Sequence, residues 1–158
     1  MLSIIYEINK ADNLAIEKHL SICSNFFVPP LETYVNIPEY ALKLAKNAIT
    51  FEAWYDNELV SLIACYLNNK IDKKGFISNI STIPSFQGKG ITSILLQNLI
   101  NYAKREDFNY LSLEVKKLNK KAISFYMNKN FKIDTKLSTD DIYYMYFVID
   151  REDNEYPI

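Results

Sequence analysis

Glycine is nearly absent from this chain, with 3 residues in 158 against roughly 7% in an average sequence. Neither a Walker loop nor the G-x-G-x-x-G dinucleotide fingerprint occurs. Cysteine is as scarce: Cys23 and Cys65 stand alone, too few and too far apart for a disulfide framework or a zinc knuckle, and inert thiols are expected. His19 is the single histidine. That excludes a His-rich metal site, no metal is expected, and a partly exposed place on the first helix is. No run approaches the ~20 apolar residues of a membrane span, and the first residues lack the basic and apolar segments of a secretory leader. A net charge of −1 with both signs interspersed supplies no basic field for nucleic acid or anionic membrane. The expectation is a cytoplasmic chain with neither partner.

What is present is apolar. A hydrophobic share of 49% and an aromatic share of 14% suffice for one core, and the length is that of a single domain spanning 1–158, with residues 150–158 a loose acidic tail. Ser3–Asn9 reads as a strand and Ala11–Cys23 as a helix, capped by Asn9 or Asp12, with Leu14, Ala15, Lys18 and Ile22 at helical spacing. Phe26–Leu31 breaks regular structure with two prolines. A helix over Pro38–Lys46 follows, then strands Ile49–Tyr55 and Leu59–Leu67 around a hairpin turn at Asp56-Asn57-Glu58. Strand Phe76–Ile83 precedes a helix over Gly88–Lys104, whose apolar stripe is Ile91, Leu95, Leu99 and Tyr102. Strand Tyr110–Val115, helix Asn119–Asn128 ended by Asn130, and strands Phe131–Leu137 and Ile142–Ile149 complete the pattern.

Two of the three glycines fall in Gln87-Gly88-Lys89-Gly90-Ile91-Thr92, between a strand and a helix. Glycine lets backbone N–H groups approach a ligand, and a helix start adds unpaired donors and a positive dipole end. The turn therefore reads as a cradle for a phosphate or pyrophosphate, against the plain alternative of a tight bend.

The strand, the Gln-Gly-x-Gly turn, the long helix, the next strand, and then Asn119-x-x-Ala122-x-x-Phe125-Tyr126-x-x-x-Asn130-Phe131 together resemble the Gcn5-related N-acetyltransferase (GNAT) family, most strongly over Gly75–Ile133. The resemblance implies an α/β fold of mixed α+β character: a central, mostly antiparallel twisted sheet of about seven strands flanked by about four helices. It also implies acetyl-CoA as co-substrate. Gln87-x-x-Gly90-x-Thr92 is similar to the family's pyrophosphate loop, which ends in a small residue where this chain has Thr92. By that likeness Gln87, Gly88, Lys89, Gly90, Ile91, Thr92 and Ser93 bind pyrophosphate. The main chain of Ile80, Ser81 and Thr82 lies along the pantetheine arm. Asn119 contacts pantetheine, and Tyr126, seven residues on and about 10 Å along a helix, protonates the leaving thiolate. Lys116, Lys117, Lys120 and Lys121 are candidates for the 3′-phosphate, or simply a solvated face.

The implied reaction is direct acetyl transfer to a primary amine of a small molecule or peptide, by a monomer or homodimer. No carboxylate lies in Phe76–Ile83, where many family members carry a glutamate base, which leaves Glu52 and Glu114 as candidates acting through water. The alternatives are a non-catalytic acyl-CoA-binding module of the same fold and a plain interaction domain. In the second case the aromatic end strand Tyr143–Phe147 would be a dimer edge or a core strand.

Overall fold

The computed structural model describes residues 3–150. Most of the expected acidic tail lies outside the described residues. The elements are β1 (Ile5–Ile8), α1 (Asn13–Cys23), α2 (Ile37–Asn47), β2 (Ile49–Tyr55), β3 (Glu58–Asn69), β4 (Lys74–Thr82), α3 (Ile91–Arg105), β5 (Tyr110–Lys116), α4 (Lys120–Asn128), β6 (Lys132–Asp134) and β7 (Ile142–Val148). The strands form a 7-stranded sheet in the order β1-β2-β3-β4-β5-β7-β6. It is the mostly antiparallel, helix-flanked sheet expected from the sequence; β4 and β5 are a parallel pair, joined as parallel strands must be by a crossover helix, α3. No helix of the described residues is long and apolar enough to cross a membrane.

The chain divides into two compact units, one of residues up to Tyr66 with Ile77–Leu99, the other of Leu67–Phe76 with the residues from Ile100 onward. In the first unit, Asp12 caps α1 by accepting from the Ala15 N–H at 2.8 Å, and Asn36 caps α2 by accepting from the Glu39 N–H at 3.0 Å. The turn joining β2 to β3 places Asp56 (φ 49°) and Asn57 (φ 63°) in the left-handed region, the geometry that follows the twist of a tight hairpin. Ile16, Leu20, Leu31, Ala41 and Leu44 from the helical segments pack on Leu59, Leu62 and Ala64 of β3.

The face of α1 differs from the expected one. Leu14 is 64% exposed and Ile22 44%, whereas Ile16, His19, Leu20 and Cys23 are buried. The helix is rotated because a polar residue belongs to its inner stripe: His19 is only 1% exposed, not partly exposed as expected, and both ring nitrogens find partners.

In the second unit, Leu111, Leu113 and Val115 of β5, Met145 of β7, Ile123 of α4, and Phe108 and Phe131 are buried. β7 pairs with β5 along its whole length and with β6 over Lys132–Asp134, so Tyr143–Phe147 is an interior strand and not a dimer edge. β6 is shorter than expected because the Asp134 side chain accepts from the Lys136 and Leu137 N–H groups and turns the chain. Asn130 (φ 69°) ends α4 in the left-handed conformation expected of it. α3 starts at Ile91 and not at Gly88, since positive φ at Gly88 and Gly90 is incompatible with a right-handed helix.

Candidate active site

The turn before α3 is a row of hydrogen-bond donors. Gly88 (φ +74°) and Gly90 (φ +80°) adopt a conformation that would strain any side chain, and a Cβ built on either meets nothing within 4 Å. The backbone requires glycine, and the space beside it is open. Among the described residues, no main-chain N–H from Gly88 to Ser93 donates to another group of the chain; the Ile94 N–H is the first to do so, bonding the Gly90 carbonyl at 3.2 Å. Consecutive free N–H groups at the positive end of a 15-residue helix match an anion with several oxygens.

Two side chains fasten this turn to β4. Gln87 Nε2 donates to the Thr82 carbonyl at 3.1 Å, and the Thr92 and Thr82 hydroxyls lie 2.8 Å apart. Thr82 in turn bonds Ser61 Oγ at 2.7 Å, and Ser61 donates to the Ser81 carbonyl at 3.3 Å. The hydroxyl that makes Thr92 unusual for the motif is thus turned toward the strand. Lys89 is exposed, Ile91 is buried, and Ser93 is half-buried, as is Ile80 on β4.

Ser81 reaches away from the turn, to His19. His19 Nδ1 lies 2.9 Å from the Leu59 carbonyl and Nε2 lies 2.8 Å from Ser81 Oγ. Burial lowers the imidazole pKa to about 4, against the opposing pull of these hydrogen bonds. A neutral ring facing a carbonyl at Nδ1 must carry its proton there, so Ser81 donates to Nε2. Ser81 Oγ is also 2.8 Å from the Asn79 side-chain amide; with its one proton committed, the Asn79 –NH2 is the group that faces it. His19 anchors β4 to α1 and β3 and is held neutral.

Glu52 is 0% exposed. Its oxygens accept from the Lys10 N–H at 3.1 Å, the Ala11 N–H at 3.0 Å, Thr50 Oγ1 at 2.6 Å and Trp54 Nε1 at 2.9 Å. Such a carboxyl group ties β2 to the turn between β1 and α1 and has no lone pair directed at a substrate. Glu114 is exposed on β5.

In the second unit, Asn119 Oδ1 caps α4 by accepting from the Ala122 N–H at 3.2 Å, which leaves its –NH2 available. Tyr126 packs between Phe125 and Phe131, each with ring centroids 5.7 Å away. Burial raises its phenol pKa to about 12, and no hydrogen bond reaches the hydroxyl among the described residues. The group is a neutral O–H donor at pH 7. Lys117 lies over the Tyr143 ring at 4.8 Å, while Lys116, Lys120 and Lys121 are exposed.

The acetyltransferase (GNAT) family profile matches residues 14–131, and the chain belongs to this family of acetyltransferases. Among curated proteins no sequence match is found. The fold is shared with a GNAT-family protein from Desulfovibrio desulfuricans at 13% identity and TM-score 0.77, covering 94% of this chain and 100% of the other. It is also shared with the PaiA N-acetyltransferase of Thermoplasma acidophilum, solved in complex with coenzyme A, at 17% identity and TM-score 0.72, with 91% and 99% covered. The ribosomal-protein-S18-alanine N-acetyltransferase of Escherichia coli is similar at 17% identity and TM-score 0.69, with 98% and 100% covered.

Sequence reading did not reveal the phenol cluster on α2 and β3 formed by Tyr40 and Tyr66. With 12 tyrosines in the chain, nothing set Tyr40 apart before its contacts with Ser78 were known.

Proposed function

We propose that the chain is a single acetyl-CoA-dependent N-acetyltransferase domain, a monomer or homodimer acting in the cytoplasm, that moves an acetyl group directly to a primary amine of a small molecule or peptide. The free N–H row from Gly88 to Ser93 carries this reading. Open space where a Cβ would stand and donors with no partner fit a diphosphate, Gln87 and Thr92 hold the turn in place, and Lys89 adds charge. The main chain of Ile80, Ser81 and Thr82 would pair with the pantetheine amides as an added strand does. The free –NH2 of Asn119 would serve the same arm.

Bound acetyl-CoA supplies an activated acetyl thioester. Tyr126 is the proton donor to its leaving sulfur. A phenol near 12 facing a thiol near 8.5 makes complete proton transfer uphill by about 5 kcal/mol. Tyr126 therefore donates as the C–S bond breaks, or stabilises the thiolate through a hydrogen bond, and does not transfer its proton beforehand. For deprotonation of the amine, β4 carries no carboxylate and the oxygens of Glu52 are filled. For a lysine-like amine near 10.4, reaching the neutral form at pH 7 costs about 4–5 kcal/mol.

The absent carboxylate on β4 is the observation favouring the second reading, an acyl-CoA-binding module without turnover. Free-thiol release from acetyl-CoA across an amine panel, followed by product mass, separates the two. Thiol release with a product heavier by one acetyl group is expected. CoA binding without release on any amine would establish the module.

A further inference from the structure

Side chains close the free edge of β4 at two points. The Ile83 N–H donates to the Val60 carbonyl at 2.9 Å, and Ser61 Oγ donates to the Ser81 carbonyl at 3.3 Å, so the main chain of Ile83 and Ser81 points toward β3. Main-chain groups alternate along a strand, which turns those of Ser78, Ile80 and Thr82 to the opposite edge. The pairing with β5 covers Lys74–Phe76 and does not extend to these residues. Gln87 Nε2 takes the Thr82 carbonyl at 3.1 Å. At the other end the Tyr40 hydroxyl donates to the Ser78 carbonyl at 3.1 Å and lies 2.6 Å from Ser78 Oγ. Between the two capped carbonyls, the main-chain groups of Ile80 have no partner on that edge among the described residues.

Tyr40 is held firmly where it stands. It lies in the first turn of α2, whose Ile37, Ala41 and Leu44 are buried. Its N–H bonds the Asn36 carbonyl at 2.9 Å, and its side chain packs against the core cluster of the N-terminal unit. Burial pushes its phenol up to about 12, so the hydroxyl keeps the proton it gives to Ser78. An extended ligand that starts at the Gly88–Ser93 turn and follows this edge passes Thr82, then Ile80, and meets the Tyr40 ring at Ser78. Ser78 is two residues from Ile80, about 7 Å of extended chain. Pairing along β4 cannot continue past that point, because the next carbonyl is taken and a ring stands on it.

We infer that the Tyr40 ring is the stop at the far end of this track, a specificity residue that limits the acyl group of the donor to a short chain and excludes butyryl. This rests on the acetyl-CoA reading above. Calorimetry with CoA, acetyl-CoA and butyryl-CoA tests it on the intact protein and three variants. Tyr40→Ala and Tyr40→Leu remove the ring, the second with less loss of core packing, and Tyr40→Phe keeps it. The intact protein and Tyr40→Phe are expected to bind acetyl-CoA about 10-fold or more tightly than butyryl-CoA, since two extra methylenes must be forced against a packed ring. Tyr40→Ala and Tyr40→Leu are expected to bind the two thioesters within about 3-fold of each other, the clash being gone. CoA, which carries no acyl group, reports whether the diphosphate site is formed. No CoA binding by the intact protein defeats the acetyl-CoA reading itself. With CoA bound, the cofactor reading stands and the assignment of Tyr40 is overturned by any of three results: no discrimination in the intact protein, discrimination lost in Tyr40→Phe, or discrimination undiminished in Tyr40→Ala and Tyr40→Leu. Loss of CoA binding in both of those variants would mark Tyr40 as a residue of the fold and overturn the assignment as well.

Discussion

Two polar regions of the N-terminal unit stand in opposite conditions. At Glu52 every oxygen is met by donors from Lys10, Ala11, Thr50 and Trp54, and the group is sealed from water. At Gly88–Ser93 consecutive N–H groups are met by no acceptor among the described residues. A saturated group has no capacity left for a ligand, so its contribution goes to the fold; an unsaturated one opposes the fold slightly and holds its capacity for something external. Hydrogen-bond satisfaction separates the two regions.

The sharpest way to break the contrast is Glu52→Ala, which strands several buried donors at once. We expect a loss of about 3–5 kcal/mol, read as a Tm fall of roughly 10 °C, with the kcat of the remaining folded protein unchanged. A large kcat loss at unchanged Tm would instead make Glu52 the missing base.

Tyr126→Phe comes next. It should preserve CoA affinity in calorimetry and lower turnover by about 10- to 1000-fold. Turnover equal to that of the intact protein removes Tyr126 from the chemistry.

His19 extends the comparison to a proton. Its folded pKa is about 4 against about 6.5 unfolded, so between these values the unfolded chain holds more protons and stability rises with pH. Acidification from 6.5 to 4 should remove about 3 kcal/mol through this group alone. Chemical denaturation at stepped pH should show that slope, and His19→Gln should flatten it. An equal slope in the variant would place the dependence elsewhere.

The smallest expected effect is on stability in Gly90→Ala. The left-handed φ costs the variant about 1–2 kcal/mol, whereas CoA affinity should fall about 10-fold or more as the methyl enters the open cradle. Weakened stability with intact affinity would separate the turn from the ligand.

Legibility in the sequence follows the same division. The glycine turn was legible because glycine is rare here, and because backbone conformation at Gly88 and Gly90 depends on residue type alone. The Asp56-Asn57 hairpin, the stripe of α3 and the Asn130 helix end were legible for the same local reasons. The α1 face was not, since His19 joins the buried stripe only by virtue of Leu59 and Ser81, residues distant in sequence. Asp134 shortened β6 through side-chain bonds that no periodicity records. Glu52 looked like a candidate base because a carboxyl group in a strand carries no sign of how many donors will reach it. The roles proposed for Tyr126 and Asn119 came from family resemblance; the structure adds that one is a phenol without a hydrogen bond among the described residues and the other caps α4.

The central claim is that the amides of residues 88–93 grip the diphosphate of CoA. Backbone amide resonances followed by NMR during titration with CoA test it directly. The account predicts that the largest shifts fall on Gly88, Lys89, Gly90, Ile91, Thr92 and Ser93. Saturable CoA binding that leaves those amides unmoved and shifts a different part of the chain would contradict it.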